Sequence, residues 1–244
     1  DFVIYQYYTI VLLSLGRYTE ALQETERLLE LSPMNPESYL RLASVNELLG
    51  RTGQAEDAYK KALSLLQHPW IYLSLGQLYQ FKMARYGEAA EAYQNAIAAD
   101  SSTGLLGAYP YLLLGELLAN TGRRAAAEQL FQKIIAEHPS PKSLPAMNYV
   151  ARAYWGLGNR RKMEKIIQEA VQADSENPEI YYHAACVYAV ARQTSTALEW
   201  LEKALQNGYR QLDWIRTDYD LENIRHSEAF GVLLKKYFPE LFKD

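Results

Sequence analysis

Large apolar side chains, small residues and glycines recur along the chain in a repeating order. Glycines that can end a helix stand at Gly16 and Gly50, 34 residues apart, and at Gly122 and Gly158, 36 residues apart. Glycine suits the end of a helix because it adopts a left-handed backbone without a Cβ clash. The spacing therefore predicts a series of two-helix repeats, in which a short turn joins the two helices of each repeat.

The starts of several predicted helices are also visible in the pattern. The second two-helix repeat opens with Asn35-Pro36-Glu37, and the sixth opens with Asn177-Pro178-Glu179. Asn caps a helix, Pro fits its first turn, and a carboxylate complements its positive end. Helices are thus predicted to begin at both tripeptides. In the first two-helix repeat, the pattern predicts helices near 2–15 and 18–31.

The segment from Tyr111 to Pro139 carries the pattern most fully. An aromatic, a Leu-Gly pair, a turn glycine, an alanine, a phenylalanine and a proline follow one another as Tyr111, Leu114, Gly115, Gly122, Ala127, Phe131 and Pro139. This order resembles the tetratricopeptide repeat, which has a period of about 34 residues. The resemblance implies an all-α, right-handed superhelical solenoid of antiparallel helix pairs that binds other proteins. Gly115 and Ala127 are predicted to mark the close approach of one such pair.

The resemblance extends over residues 1–244, which we expect to form a single solenoid domain. The connection near 101–107 predicts a looser junction or a bend, and the spacer at 139–145 delays the fifth repeat. The turn near Phe81 to Arg85 is one residue longer than its counterparts. The turn that begins at Arg192 lacks a glycine. The predicted repeats are about 2–35, 36–69, 70–103, 108–141, 144–177 and 178–208, followed by a C-terminal cap at 209–244.

The segment after Gly208 resembles the degenerate helix pair that ends many such proteins. That resemblance rests on Asp218, Asp220, Leu221, Ile224, Arg225 and Phe230. Apolar residues at helical spacing are predicted to cover the preceding repeat, while charged residues face outward. The apolar set is Phe230, Leu233, Leu234 and Tyr237, and the outward set is Glu228, Lys235 and Lys236.

Composition narrows the classes of function. The 244 residues are 49% hydrophobic and 22% charged, a normal globular balance, with a net charge of −4 and a pI near 5.7. An acidic chain without a basic run is atypical of a nucleic-acid-binding protein. Cys186 is the only cysteine, so neither an internal disulfide nor a thiolate metal cluster is expected. A single thiol is compatible with both a reducing and an oxidising compartment. The sequence predicts no membrane insertion, because it has no apolar run of about 20 residues.

The first predicted helix is unusually apolar. The chain begins with Asp1, which indicates a fragment or a processed product, and continues as FVIYQYYTIVLLSL. The ends of a solenoid normally need a polar cap. We therefore expect another repeat or a partner to cover this helix in the full protein.

No catalytic or cofactor motif accompanies the repeats. The histidines, His68, His138, His183 and His226, are scattered singly, without metal-ligand spacing. There is neither a glycine-rich phosphate loop nor a nucleophile elbow. The sequence therefore predicts a protein that is not an enzyme and holds no metal or cofactor.

The resemblance implies that the first helix of each pair lines a concave groove. Arg152 lies between aromatic neighbours in the sequence and is predicted to bind an extended peptide by stacking and a charged hydrogen bond. The alternative, that the aromatics Tyr149, Trp155 and Tyr182 only fill the core, stays open. The predicted groove residues are Arg41, Trp70, Gln77, Tyr109, Glu116, Asn120, Asn148, Tyr149, Arg152, Trp155 and Tyr182.

These features lead to three hypotheses for function. The first is a noncatalytic scaffold that binds a peptide or protein segment in its concave groove. The second is a module that self-associates into a homo-oligomer through the apolar first helix. The third is a regulatory arm of a larger enzyme or signalling protein. The two-carboxylate clamp of chaperone-binding tetratricopeptide domains is not expected, because Ser44 and Ser74 stand among its positions.

Overall fold

The fold is all-helical, as the sequence predicts. A computed structural model describes residues 2–101 and 104–239, and these residues contain helices but no strand. The chain divides after Leu117 into two compact units, the first unit before this point and the second unit after it. The helix α7 begins in the first unit and ends in the second. The helices through α7 are α1 (Phe2–Ser14), α2 (Tyr18–Leu31), α3 (Pro36–Leu48), α4 (Thr52–Leu65), α5 (Pro69–Gln77), α6 (Tyr86–Asp100) and α7 (Tyr109–Asn120).

The first unit consists of consecutive helix pairs. Helix α1 packs on α2, α3 on α4, and α5 on α6. The second helices α2 and α4 also contact the first helix of the next pair, α3 and α5 respectively. Fully buried residues join the first two pairs, among them Leu12, Ala21 and Val45. The apolar pattern of the sequence is thus used between the helices of a pair and between neighbouring pairs.

The second unit repeats this arrangement and adds the C-terminal cap. Helix α9 contacts α8, α10 and α11, and α11 packs on α12. Within the cap, Phe230, Leu233 and Leu234 are buried in one cluster with Leu201 and Leu205, which confirms the predicted apolar face. The helices are α8 (Arg124–Glu137), α9 (Leu144–Gly156), α10 (Arg160–Ala173), α11 (Pro178–Val190), α12 (Thr194–Gln206), α13 (Leu212–Thr217), α14 (Glu222–Arg225) and α15 (Glu228–Tyr237).

The turns inside the pairs use a left-handed residue, as predicted. Gly16, Gly50 and Gly158 have φ values of 71°, 72° and 73°. Where the sequence lacks a glycine, Ala84 and Arg192 adopt the same conformation, at 52° and 57°. Such a conformation strains residues that carry a Cβ. The longer turn before α6 follows a π-helical segment, Leu78–Lys82, which absorbs the additional residue.

Helix starts and close contacts follow from the same residue choices. The Asn35 and Asn177 side chains accept hydrogen bonds of 3.0 Å from the backbone N–H groups of Glu37 and Glu179, which confirms both predicted caps. A Cβ atom on Gly76 would lie 2.6 Å from Cε1 of Tyr93, so this glycine allows α5 and α6 to pack closely.

The connection before α7 is organised by one buried carboxylate. The Asp100 side chain accepts hydrogen bonds from the backbone N–H groups of Leu105 at 2.7 Å and of Leu106 at 3.0 Å. Gly104 and Gly107 supply positive φ angles around it. The inserted residues of this predicted junction thus form a structured loop where they are described.

Helix α1 presents apolar side chains to solvent. Ile4, Tyr7 and Val11 are exposed, as is Leu15 directly after the helix, whereas Leu12 is fully buried against α2 and α3. None of the described helices is both long enough and apolar enough to span a bilayer. Whether another repeat or a partner covers α1 stays a prediction.

Candidate functional site

In the first unit, hydrogen bonds connect three successive first helices. The Tyr59 hydroxyl of α4 bonds the Glu47 carboxylate of α3 at 2.5 Å, and Ser44 of α3 and Ser74 of α5 also interact with this hydroxyl. Burial, followed by the charge of Glu47, raises the pKa of Tyr59, so the phenol stays protonated and donates. One tyrosine of a second helix therefore holds polar groups of α3 and α5 together.

Ser44, Glu47, Tyr59 and Ser74 form the start of a polar row, which continues to α7. The Gln77 side-chain amide of α5 donates to the Tyr109 hydroxyl of α7 at 3.2 Å. Next to it, the Tyr93 hydroxyl donates to the Gln80 amide oxygen at 2.7 Å. Tyr93 is fully buried, whereas Gln77 and Tyr109 are half-buried, so the amide of Gln77 and the hydroxyl of Tyr109 can exchange hydrogen bonds with a peptide backbone. The structure thus brings together Gln77 and Tyr109, two of the predicted groove residues.

Two larger side chains flank this polar row. Trp70, in the first turn of α5, has 47% of its surface exposed. The Arg41 guanidinium of α3 is half-buried and lies 3.7 Å from the Glu37 carboxylate, while its Nε atom is buried without a hydrogen-bond partner. Farther along the chain, Glu116 is half-buried and Asn120 is exposed at the end of α7.

In the second unit, Arg152 is turned inward. Its side chain is only 1% exposed, and Nη1 lies 2.7 Å from the Asp220 carboxylate of the cap and 3.4 Å from the Asn148 side-chain oxygen. Asn148 is itself buried beside His183. Burial also lowers the pKa of the His183 imidazole. The guanidinium that was predicted to meet a peptide is thus engaged by the protein's own C-terminal segment.

Tyr182 joins the same buried network. It stacks on Tyr209 with ring centroids 4.3 Å apart, and its hydroxyl donates to the Asp218 carboxylate at 2.8 Å. The Cys186 thiol lies 3.7 Å from the same carboxylate. Burial and the neighbouring Asp220 charge raise the pKa of Asp218 to about 6. The cap is therefore attached to α9 and α11 by polar contacts as well as by apolar ones.

The two remaining predicted residues of the second unit lie at the border of this network. Tyr149 is half-buried, and burial raises the pKa of its phenol. Trp155 is partly buried against the apolar core of the unit. In the second unit the structure thus places Arg152, Asn148 and Tyr182 inside and leaves Tyr149 and Trp155 partly accessible.

The sequence interpretation did not identify the partners of Arg152 and Tyr182. Asp218 and Asp220 were recognised only as part of the cap resemblance, and the contact joins Arg152 to a residue 68 positions later. Their side chains, with Cys186, offer ligand atoms within 4.8 Å of one another. Arg152 and Tyr182 already bond the carboxylates, and burial raises the pKa of the thiol, so these groups hold the cap rather than form a built metal site.

Repeated antiparallel helix pairs with left-handed turns and a helical C-terminal cap define a helical-repeat protein. The family model described as "Tetratricopeptide repeat" matches residues 10–67 and 78–140. The chain belongs to the tetratricopeptide-repeat proteins, whose members generally act as noncatalytic scaffolds that bind proteins or peptides.

Two known proteins are similar to this chain in sequence. The TPR repeat-containing protein YpiA of Bacillus subtilis (strain 168) is 22% identical over 231 residues, covering 82% of this chain and 54% of YpiA. The human protein O-mannosyl-transferase TMTC1 is 29% identical over 141 residues, covering 58% of this chain and 15% of TMTC1. The chain thus spans about half of the first relative and a small part of the second.

A solved structure of a tetratricopeptide repeat protein from Parabacteroides merdae ATCC 43184 is similar in fold. Its TM-score is 0.61 at 17% identity, with 91% of this chain and 84% of that chain covered. At this identity the similarity establishes the fold alone.

Proposed function

We propose that this chain is a noncatalytic scaffold that binds an extended peptide segment across the first helices of its first unit. The observation that supports the proposal most directly is the polar row from Ser44 and Glu47 through Tyr59 and Ser74 to Gln77. It crosses successive repeats, and it continues to the Tyr109 hydroxyl through the amide of Gln77.

The chemistry of this surface suits a peptide backbone. Extended peptides satisfy their N–H and C=O groups on amides and hydroxyls, and their side chains add affinity where they meet aromatic surface. Trp70 supplies a large exposed ring beside the row. Arg41 adds a guanidinium whose buried Nε has no internal partner. Glu116 extends the proposed surface along the part of α7 that lies in the first unit.

In the second unit the proposed contribution is smaller. The accessible parts of Tyr149 and Trp155 remain candidates for ligand contact. Asn148, Arg152 and Tyr182 are at most 3% exposed, and their polar atoms bond one another or the cap. Gln77 and Tyr109 of the first unit, by contrast, are only half-buried. We therefore assign the main binding role to the residues of the first unit.

The proposal is tested by selecting peptides from a random library displayed on phage against the intact chain. The selected peptides are then titrated against a Trp70→Ala/Gln77→Ala variant. We expect at least a tenfold loss of affinity, which corresponds to about 1.4 kcal/mol. The matched control is Trp214→Ala, because Trp214 is also a highly exposed tryptophan, at 54%, but lies in the second unit.

Two results would contradict the assignment. Unchanged affinity in the Trp70→Ala/Gln77→Ala variant would move the binding surface away from α5. Equal losses in this variant and in Trp214→Ala would indicate nonspecific capture by exposed indole rings. A mass measurement at several protein concentrations separately tests self-association through α1, the second candidate, which the exposed apolar residues of that helix favour.

A further inference from the structure

A cleft opens in the first unit between the second helices α2 and α4, with α3 as its base. Its volume is about 420 Å³, within the range of pockets that hold small organic groups. Its lining includes the apolar residues Leu22, Leu42 and Ala58, together with Tyr39, Asn46 and Lys61. The cleft therefore has an apolar part beside the Tyr39 ring and the Lys61 ammonium. The polar and charged residues Glu26, Arg51, Gln54 and Asp57 complete its lining.

The aromatic wall is held in place. The Tyr39 hydroxyl donates to the backbone carbonyl of Pro33 at 3.1 Å, and the Lys61 ammonium lies 6.0 Å from the centre of the Tyr39 ring. A fixed ring with a cation nearby is suited to stacking with a second ring. The wall thus favours an aromatic guest over an aliphatic one.

The sixth repeat shows the same structure in a filled form. Residues 35–62 and 177–204 align with one constant offset, which pairs the caps Asn35 and Asn177 and also the buried alanines Ala55 and Ala197. In this register Tyr39 corresponds to Tyr181, whose hydroxyl likewise donates to a backbone carbonyl, that of Ser175, at 2.7 Å. The register also pairs Lys61 with Lys203.

The two repeats differ at the centre of the cleft. Ala58 corresponds to Trp200, and Asn46 corresponds to Tyr188. Trp200 stacks with Tyr181, with ring centroids 5.8 Å apart, and with Tyr188 at 6.3 Å. The Lys203 ammonium lies 4.5 Å from the Trp200 ring. The first unit therefore keeps the aromatic and cationic walls of this arrangement but lacks the indole ring that they enclose in the second.

One exchange works in the opposite direction. Leu42 stands where the sixth repeat has Ala184, so an aliphatic side chain takes part of the space. The remaining volume is still open beside Tyr39 and Ala58. Replacement of two aromatic residues by alanine and asparagine is thus only partly compensated.

We propose that this cleft binds an aromatic side chain of a partner polypeptide, in the place that Trp200 occupies in the sixth repeat. The guest ring stacks on Tyr39, and Lys61 approaches its other surface as Lys203 approaches Trp200. The second unit carries its own indole at this position, so the first unit is complementary to an indole supplied by another chain.

This site is separate from the proposed peptide surface. Successive helix residues are about 100° apart, so Tyr39, Leu42 and Asn46 lie on one side of α3. Arg41 lies on roughly the opposite side. A partner could therefore contact the cleft without touching the polar row, and the two proposals are tested independently.

The cleft is tested with 5-fluoroindole as the probe, by ¹⁹F NMR titration against the intact chain. We expect saturable binding with a dissociation constant on the order of 1 mM, because the probe is a small fragment. Ala58→Trp introduces the ring of the sixth repeat and is expected to weaken binding at least tenfold. Absence of saturable binding to the wild type, or unchanged binding to a folded Ala58→Trp variant, would overturn the proposal.

Two further variants keep the test decisive if Ala58→Trp does not fold. Tyr39→Leu removes the stacking surface but preserves apolar volume, and it is expected to weaken binding at least threefold. The matched control, Trp200→Ala, opens the equivalent space in the second unit and is expected to add a second binding site. Unchanged affinity in Tyr39→Leu would contradict the stacking role, and an unchanged site number in Trp200→Ala would contradict the equivalence of the two repeats.

Specificity for an aromatic side chain is tested with N-acetyl-tryptophanamide and N-acetyl-leucinamide. Chemical shifts of the Ala58 methyl group report on binding. We expect the tryptophan compound to saturate at a concentration at least fivefold lower. Equal affinities would show a general apolar cleft and would refute the proposed aromatic guest.

Discussion

The buried ion pair between Arg152 and Asp220 gives the most direct test of how the cap is held. Arg152→Met keeps much of the apolar stem but removes the guanidinium. The Asp220 carboxylate, whose side chain is only 12% exposed, then loses a donor at 2.7 Å. Breaking a buried pair by removal of one partner typically costs 3–5 kcal/mol, because the remaining charge is left desolvated. The residual exposure of Asp220 places our expectation at the lower end, at about 3 kcal/mol.

Urea unfolding followed by circular dichroism measures this cost. With a slope of 1–3 kcal/mol/M, typical of small proteins, the midpoint of the transition is expected to fall by about 1 M or more. Addition of Asp220→Asn to Arg152→Met removes the uncompensated charge and is expected to recover part of the loss. The resulting double-mutant cycle isolates the interaction between the two side chains.

An exposed pair of equal length provides the control. Arg160 and Glu164 are also 2.7 Å apart, but the Arg160 side chain is 62% exposed. Because water screens such a pair, Arg160→Met is expected to leave the midpoint unchanged. A loss below about 1 kcal/mol in Arg152→Met, the range of an exposed pair, would refute the view that burial makes this pair important. Equal shifts in the two variants would refute it as well.

Three further predictions concern single residues. The pKa of Asp218 is raised to about 6, so this group stabilises the fold fully below its pKa in the unfolded chain, about 4, and the contribution is lost as pH rises through about 6. Thermal melts at several pH values should show that Asp218→Asn removes this trend. Ala127 is fully buried, so Ala127→Leu should overpack its site and cost about 1–3 kcal/mol in urea unfolding; an unchanged midpoint would contradict the predicted register. Arg192→Gly should stabilise by about 1 kcal/mol, since it relieves a left-handed residue; a lower midpoint would contradict that source of strain.

Much of the fold was predictable because its signals are local. A capping asparagine such as Asn35 acts on the backbone two residues away, and a turn glycine such as Gly50 acts on its own φ angle. The aromatic and small residues keep their order in most repeats, and the fifth, with Met163 and Ile167 at pattern positions, keeps only the hydrophobic character. The sequence therefore predicts where helices begin, end and pair.

The environment of the candidate groove residues was harder to predict, because it depends on distant residues. Nothing adjacent to Arg152 indicates that its partner is Asp220, in the cap. Periodicity identifies Arg152 as a first-helix residue but does not say whether another segment covers it. The cleft beside Tyr39 is formed by residues of α2, α3 and α4 together, so no local pattern in the sequence predicts it.

The location of Arg152 also changes how a loss of binding must be interpreted. A substitution at Arg152 weakens the contact between α9 and the cap, so a reduced affinity could report unfolding of the second unit rather than loss of a ligand contact. Trp70 and Gln77 do not have this difficulty, because one is exposed and the other bonds only a neighbouring first helix among its described hydrogen bonds. If variants at Trp70 and Gln77 keep the wild-type melting temperature and lose peptide affinity, the loss belongs to the surface of the first unit. If affinity falls only in cap-destabilising variants, the cap itself is required for binding, and the second unit becomes the place to search for the partner.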